Sequence, residues 1–357
     1  MSNLQMPSDV KKLGGQSQEG QAQPEVIEPP SVKLIVRLFL IPLVIVAAAV
    51  GVMFLVGLLA GSEPTMEQAL QRLRGAGGER TATYLVGPAS KQRYLDAKII
   101  IDKMKQGMGE KDRITLSSQL IDILDKNTSP DEGDVQHLLL LALGRTWQKD
   151  PSQSPIDSPA ATESRQQVVA TLLKYADAPQ LPTRKAAILA TAYLAGQPEA
   201  TGTIPKIVEK LSDQKEDIDV RIAAATVLGP VADSSNQTVI DALHAAMRDT
   251  DPRDAELVWS SALSLAQLNQ PDVADTILKL LSREELAQMQ YYDREQDPRN
   301  PTFRTLSEDE QQRILINTML GAAKLNVPAV QKKLHELAES DPSSRVRAAG
   351  MEILGKK

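Results

Sequence analysis

Residues 219–229 read DVRIAAATVLG, and residues 345–355 repeat the pattern as RVRAAGMEILG. In both stretches an arginine stands seven residues before a leucine, and glycine follows that leucine. We call the pattern the cassette and the arginine position its anchor. Looser copies bring the number of anchors to six: Gln136, Arg184, Arg221, Val258, Arg313 and Arg347.

The spacing of the anchors predicts a repeat architecture. Successive anchors are 48, 37, 37, 55 and 34 residues apart, a period near 37 with two insertions. Such a period is typical of stacked helical units, each of which buries its apolar face against its neighbours. A second apolar set with the spacing of one helix face follows the cassettes, so we predict two helices per unit.

The positions after the anchor predict how the units are joined. Seven residues after the anchors come Leu143, Thr191, Leu228, Leu265, Leu320 and Leu354. The next position is always small: Gly144, Ala192, Gly229, Ala266, Gly321 and Gly355. A small residue lets a neighbouring helix cross closely, so we expect these positions to form the joints between units.

Composition agrees with a helical array and excludes several kinds of chemistry. Aromatic residues are only 3% of the chain, and no alternating apolar and polar run is long enough to indicate a strand. The fold class predicted is therefore all-α, with about six to seven helical pairs over residues 90–357. There is no cysteine, which excludes disulfides and thiolate metal ligands. The net charge of −6 shows no basic excess, so we expect no nucleic-acid partner.

The region before the repeats predicts a tail and a membrane anchor. Residues 1–33 are rich in polar residues, glycine and proline and are expected to be disordered. Residues 34–61 contain 23 consecutive uncharged residues, Leu38–Ala60, enough for a single transmembrane helix. The alternatives are a buried helix and a cleaved signal peptide, whose apolar region is shorter and nearer the N-terminus. Residues 62–89 are predicted to be a tether with a short helix, Met66–Leu73.

Two basic residues before the apolar segment predict its orientation. Lys33 and Arg37 precede the segment, whereas the first charge after it is Glu63. Positive residues favour the cytoplasmic side of a membrane. We therefore expect a cytoplasmic N-terminus and a repeat domain on the exoplasmic or periplasmic side.

The cassettes at 219–229 and 346–355 resemble the first helix of a HEAT repeat, and the resemblance extends loosely over residues 90–355. It implies an α-solenoid, similar to armadillo-like helical arrays, whose second helices line a concave surface where partners commonly bind. It also implies that charged cassette residues link adjacent repeats in a polar ladder, a structural role. Those residues are Asp219, Arg221, Arg345 and Arg347.

Residues suited to catalysis do not form a recognisable pattern. The three histidines, His137, His244 and His335, lie far apart on separate predicted helices. The motif at 335–339 reads HELAE and lacks the second histidine of a zinc-peptidase helix. Deoxyhypusine hydroxylases, which are HEAT-like enzymes, hold iron with several His-Glu dyads, whereas this chain has one. We therefore predict no enzyme activity and no catalytic, metal or cofactor-binding residue.

The two insertions are the places where specificity is expected. Lys149–Ala161 is interpreted as a flexible surface loop. Arg283–Leu306 holds aromatic and arginine side chains, which are favoured as anchors in protein interfaces. The candidate partner-binding residues are Tyr291, Tyr292, Arg294, Phe303 and Arg304. The alternative is that these rings clamp the insertion onto its own repeat.

Together these observations predict a single-pass, membrane-anchored scaffold or adaptor that binds a protein partner along the solenoid without catalysis. One alternative is an enzyme, or an enzyme subunit, with a pocket on the concave face. Another is a passive structural protein that organises an envelope. The identity of the partner and the oligomeric state stay open.

Overall fold

The computed structural model describes residues 64–75, 89–104, 108–126, 132–149, 156–248, 251–293 and 302–355. All of them belong to the unit Pro64–Lys357, which is separate from Met1–Glu63. The predicted tail (1–33) and the predicted membrane segment (34–61) lie outside the described residues, as do residues 76–88 of the predicted tether. Within the described ranges, no helix has both the length and the apolar character needed to span a membrane.

The described residues form fifteen α-helices and one hairpin. The helices are α1 Met66–Gly75, α2 Ala89–Lys103, α3 Glu110–Lys126, α4 Gly133–Arg145, α5 Pro159–Tyr175, α6 Leu181–Thr191, α7 Ile204–Ser212, α8 Ile218–Val231, α9 Gln237–Met247, α10 Ala255–Gln267, α11 Ala274–Leu280, α12 Arg283–Gln288, α13 Glu308–Ala322, α14 Pro328–Ser340 and α15 Ser344–Gly355. The strands are β1 Gln290–Asp293 and β2 Thr302–Thr305. Four 3₁₀ turns connect helices: Ala192–Leu194, Pro198–Thr203, Pro252–Asp254 and Pro271–Val273.

The helices form two layers. One layer contains the first helices, and each contacts the next in the order α2, α4, α6, α8, α10, α13 and α15. The six cassettes lie in α4 and the first helices after it. The second helices α3, α5, α7, α9, α11 and α14 follow them in the chain and form the other layer. In the described part of the chain this arrangement gives six helical pairs and a final single helix, which confirms the predicted all-α repeat architecture.

Helix boundaries follow from short polar side chains and prolines in the sequence. An oxygen of the residue before the helix accepts a hydrogen bond from a backbone N–H in the first turn of α5, α8, α9, α12 and α13. Such capping satisfies N–H groups that have no partner inside the helix. Proline occupies the first turn of α5, α6, α7 and α14, where its missing N–H costs little.

Gly144 and Gly229 of the cassettes lie where first helices cross, whereas a Cβ atom on Gly355, at the end of the last helix, would meet no described atom within 4 Å. A Cβ atom on Gly144 would overlap the carbonyl of Ala190 in α6, and one on Gly229 would lie 2.7 Å from the Cα of Ser264 in α10. The leucines before these glycines, Leu143 and Leu228, are completely buried. The glycines therefore set the close approach of adjacent units, as their sequence position predicts.

One anchor in the sequence analysis is wrong by one residue. Leu320, seven residues after Arg313, is 56% exposed, whereas Met319 is completely buried. The position of the anchor belongs to Gln312, whose Oε1 accepts a hydrogen bond from Ser343 Oγ at 2.9 Å. The insertion before α13 interrupts the period of the anchors. The anchor of α13 was therefore assigned to the nearest arginine, Arg313, which is one residue after the correct position.

Helix α1, which was predicted to be a short helix within a tether, is packed against the solenoid. Leu70 and Leu73 of α1 are buried. Arg72 forms an ion pair of 2.8 Å with the fully buried Asp96 of α2. Arg93 of α2 donates a hydrogen bond of 2.9 Å to the carbonyl of Leu73. Helix α1 thus takes the place of a second helix in front of α2.

Both insertions contain regular structure. The segment Arg283–Leu306 holds α12 and the antiparallel strands β1 and β2, with Gln290 opposite Thr305 and Asp293 opposite Thr302. The prediction of no strand is wrong for this segment, because QYYD and TFRT do not show a strict alternation of apolar and polar residues. In the first insertion, residues 150–155 lie outside the described residues, and residues 159–161 form the first turn of α5 instead of a loop.

Candidate functional site

The anchor arginines contact the end of the preceding unit. Arg221 Nε donates to the carbonyl of Leu211 at 3.2 Å, where α7 ends. Arg347 Nη1 donates to the carbonyls of Asp341 and Pro342, where α14 ends. Carbonyls at a helix C-terminus lack partners inside the helix, and a guanidinium supplies several donors. Arg93 does the same for α1, which makes it a seventh anchor.

The other two predicted ladder residues form pairs nearer the surface. Asp219 accepts a hydrogen bond of 3.0 Å from Lys185 Nζ, which joins α8 to α6. Arg345 donates to Asp309 at 3.1 Å, which joins α15 to α13. The Arg345 and Asp309 side chains are 63% and 64% exposed, so their pair contributes little to stability.

The corrected anchors show which cassette positions face outward. At the positions one and five residues after each anchor, every side chain from α2 to α13 is at least partly exposed. We call these residues the outer row: Tyr94, His137, Lys185, Ile222, Trp259 and Arg313 at the first position, and Lys98, Leu141, Leu189, Thr226, Leu263 and Asn317 at the fifth. They form the outer surface of the first-helix layer.

A cleft of about 860 Å³ lies on this surface. It is lined by outer-row residues of α6, α8, α10 and α13: Lys185, Ile222, Trp259, Leu263, Arg313 and Asn317. Arg304 and Leu306 line it from the end of the hairpin, and Glu256 and Glu310 add carboxylates. The cleft therefore has apolar side chains in its lining together with charges of both signs. Its lining comes mainly from first helices, with Leu280 from the second helix α11, whereas the family resemblance placed partner binding on the second helices.

The hairpin is fastened to α13 at the edge of this cleft. Arg304 donates two hydrogen bonds to the Glu310 carboxylate, at 2.8 and 2.6 Å. Glu310 Oε2 also accepts from the backbone N–H of Ser307 at 2.8 Å, as part of a capping box at the start of α13. The hydrogen bonds from Arg304, the largest cause, and from Ser307 lower the pKa of Glu310 to about 2. Glu310 is therefore ionised under ordinary conditions.

The predicted partner-binding residues are divided between the hairpin surface and the cleft. Tyr292 and Phe303 are cross-strand partners with ring centroids 5.5 Å apart and a 60° angle between the rings. Phe303 is 46% exposed. Tyr291 lies opposite Arg304 in the strand register, and Arg304 faces the cleft. Arg294 lies outside the described residues.

The structure has features that agree with each of the two interpretations of the insertion, a clamp on its own repeats and a surface for a partner. Strand β1 contacts the turn Pro252–Asp254, and Arg304 holds β2 to α13, as a clamp on its own repeats would. Phe303 nevertheless remains nearly half exposed next to the cleft residue Arg304. The hairpin is fixed at its base and presents an aromatic ring to solvent.

Trp259 is the residue that sequence reasoning missed. It is half-buried in the cleft, one residue after the anchor Val258. The period of the repeats could have predicted its place, because Lys185, Ile222 and Trp259 are spaced 37 residues apart and all line the cleft. The outward positions of the cassettes, unlike the aromatic residues of the insertion, are not marked by an unusual composition.

The histidines do not converge. None of the three lines the cleft. His244 Nε2 lies 3.4 Å from Asp272 Oδ2, and His137 Nδ1 lies 3.4 Å from the carbonyl oxygen of Pro182. Among the residues whose positions are described, no group of three or more His, Asp or Glu side chains is arranged to hold a metal ion.

Comparison with known proteins supports the repeat assignment. A family model described as HEAT repeats matches residues 204–291, which run from α7 to β1 and include the anchors Arg221 and Val258. Among solved structures, human deoxyhypusine hydroxylase in complex with glycerol is similar at 14% identity and a TM-score of 0.29, over 84% of this chain and 98% of that chain. No curated protein matches the sequence. The helical pairs and the family model together support HEAT repeats in this part of the chain.

Proposed function

We propose that this chain is a membrane-anchored HEAT-repeat scaffold that binds a peptide segment of a protein partner in the cleft, without catalysis. The cleft is the observation that supports the proposal. Equivalent outer-row residues of successive repeats line it, and the hairpin bounds it on one side. Helical-repeat arrays build extended binding surfaces from equivalent positions of successive units. Here those positions are one and five residues after the anchor.

The lining of the cleft suits a peptide with one large apolar side chain. Trp259 and Leu263 supply apolar surface, and tryptophan is among the residues that contribute most to binding free energy in interfaces. Glu256 and Arg313 add one charge of each sign to the lining beside this apolar surface. A volume of about 860 Å³ falls in the range of sites that enclose small ligands, so it admits a segment and not a folded domain.

The proposed membrane segment confines the scaffold to a membrane surface. Residues 34–61 cross the membrane once, with the tail in the cytoplasm and the repeats on the exoplasmic or periplasmic side. The uncharged stretch Leu38–Ala60 and the preceding Lys33 and Arg37 support this part of the proposal. Confinement to a membrane surface raises the effective concentration of the scaffold for partners on the same surface.

Photo-crosslinking in intact membranes tests the proposal. A photoreactive amino acid is placed at Asn317, which lines the cleft, or at Leu320, which is exposed on the same helix but is not part of the cleft lining. We expect a discrete protein adduct from position 317 and not from position 320. Trp259→Ala should abolish that adduct while circular dichroism shows unchanged helix content. Equal adducts from both positions, or no effect of the tryptophan substitution on the adduct, would contradict cleft binding.

A further inference from the structure

We propose that helix α2 contacts the anionic headgroups of the membrane through an exposed face that includes its two outer-row residues, Tyr94 and Lys98. This inference rests on the membrane anchor of the proposed function and adds a second, lipid-binding surface to it. It assigns opposite tasks to two parts of one face: lipid at α2 and a protein partner at the cleft.

The proposed surface is a row of four side chains on α2, at positions i, i+3, i+4 and i+7. They are Lys91, Tyr94, Leu95 and Lys98, and this spacing places them on one helix face. Tyr94 and Leu95 are both 42% exposed, which makes them two of the few large apolar side chains exposed in the described part of the chain. A tyrosine and a leucine between two lysines match the polarity of a membrane interface.

The position two residues before the anchor carries a different charge in α2 than at the centre of the solenoid. At this position α4, α8, α10 and α13 have the carboxylates Asp134, Asp219, Glu256 and Glu310. The same position holds Pro182 in α6, Arg345 in α15 and Lys91 in α2. Arg345 is paired with Asp309, whereas within the described residues neither Lys91 nor Lys98 has an ion-pair partner. Helix α2 therefore presents a positive charge, Lys91, where most other first helices have a carboxylate, and Lys98 adds a second positive charge.

Helices α1 and α2 are the first elements of the solenoid after the predicted membrane segment. Four residues, 62–65, separate that segment from α1 in the sequence. Arg72 of α1 pairs with Asp96, and Arg93 binds the carbonyl of Leu73, so α1 and α2 are joined to each other. The start of the solenoid is therefore the part of the repeats that follows the proposed membrane anchor most directly in the chain.

The physical chemistry of the interface explains why these four residues fit. Lysine side chains keep their ammonium groups among headgroups while their methylene chains cover apolar surface. Tyrosine is enriched at the membrane–water boundary, where its ring and hydroxyl meet different surroundings. Attraction of lysine to anionic lipid falls off within a Debye length, so the contact weakens at high salt concentration.

The absence of cysteine makes the test direct, because a single introduced thiol is the only labelling site. Full-length Leu95→Cys and, as control, Met351→Cys, whose native side chain is 61% exposed on α15, are labelled with a fluorophore and placed in neutral or anionic lipid nanodiscs. We expect lipids with a nitroxide headgroup to quench the label at 95 several-fold more than the label at 351. The difference should be larger in anionic lipid, and Lys91→Glu with Lys98→Glu should remove that increase.

The outcomes separate this inference from the proposed function. If alkaline carbonate extracts the unmodified chain from membranes, the anchor fails and the inference fails with it. If the chain stays integral but the labels at 95 and 351 are quenched equally, only the lipid contact of α2 is overturned. Equal quenching of the label at 95 in neutral and anionic lipid overturns recognition of anionic headgroups.

Discussion

Arg304 and Glu310 join the hairpin to α13 through two hydrogen bonds of 2.8 and 2.6 Å. The pair lies at the cleft, where both residues contribute to the lining. Glu310 also caps the first turn of α13 through Ser307. One carboxylate thus fixes the insertion and the helix that follows it, so the form of the cleft depends on this contact.

Removal of the guanidinium should loosen the hairpin without unfolding the solenoid. In Arg304→Ala we expect amide hydrogen exchange in β2 to rise about tenfold, because a charge-assisted bidentate contact is lost and local opening becomes easier. Hydrogen exchange with mass spectrometry measures this. Arg313→Ala is the control, since the ion pair of Arg313 with Asp309 is largely exposed and contributes little. Similar exchange in both variants would contradict the clamp.

The lowered pKa of Glu310 gives the same contact a defined pH dependence. The pKa falls from 4.5 to about 2 in the folded chain, so the folded state favours the ionised carboxylate. The resulting stability is present in full above pH 4.5 and is lost as the pH falls from 4.5 towards 2. We expect the difference in Tm between the native chain and Glu310→Gln to be constant above this window and to shrink within it. Glu339→Gln, at an exposed position of α14, should show no such change.

The joints between units should respond to a single methyl group. Gly229→Ala places a Cβ against the backbone of Ser264, which cannot rotate away as a flexible side chain could. We expect a loss of about 1–3 kcal/mol in the free energy of unfolding, the usual effect of overpacking a core. Gly355→Ala is the matched control, because a Cβ there meets no described atom within 4 Å and should change stability by less than about 0.5 kcal/mol. Urea denaturation measures both variants.

The ladder arginines should differ from one another according to burial. Arg221 is buried and donates to the carbonyl of Leu211, so Arg221→Ala leaves that carbonyl short of a partner. We expect a destabilisation of about 1–3 kcal/mol. Arg345→Ala removes a pair whose members are both exposed and should cost less than about 1 kcal/mol. Equal losses in thermal denaturation of the two variants would show that the ladder does not depend on buried hydrogen bonds.

The sequence predicted the layer of first helices well because local patterns determine it. The anchor, the leucine and the small residue, such as Gly144 or Gly229, all lie within one helix, so the pattern does not depend on distant parts of the chain. The hairpin and the register of α13 were missed because tertiary packing sets them: the strands have four residues each, and Leu320 and Met319 are equally apolar. The cleft was missed for a related reason. It combines Trp259 with side chains from four other helices and the hairpin, and no local pattern joins those residues.

The exposed ring of Phe303 distinguishes the two interpretations of the hairpin. If the hairpin only clamps its own repeats, Phe303→Ala should leave both stability and partner crosslinking from Asn317 unchanged, because the ring is 46% exposed. We expect the hairpin to bind the partner as well. The same substitution should then reduce the crosslinking yield about tenfold at limiting partner while the Tm stays the same, since truncation of an interface aromatic can cost more than about 1 kcal/mol of binding free energy. Leu320→Ala removes a side chain that is 56% exposed on α13 outside the cleft and serves as the control. A crosslinking yield that stays unchanged in Phe303→Ala would leave the hairpin with the clamp alone and would contradict a role of the ring in the interface.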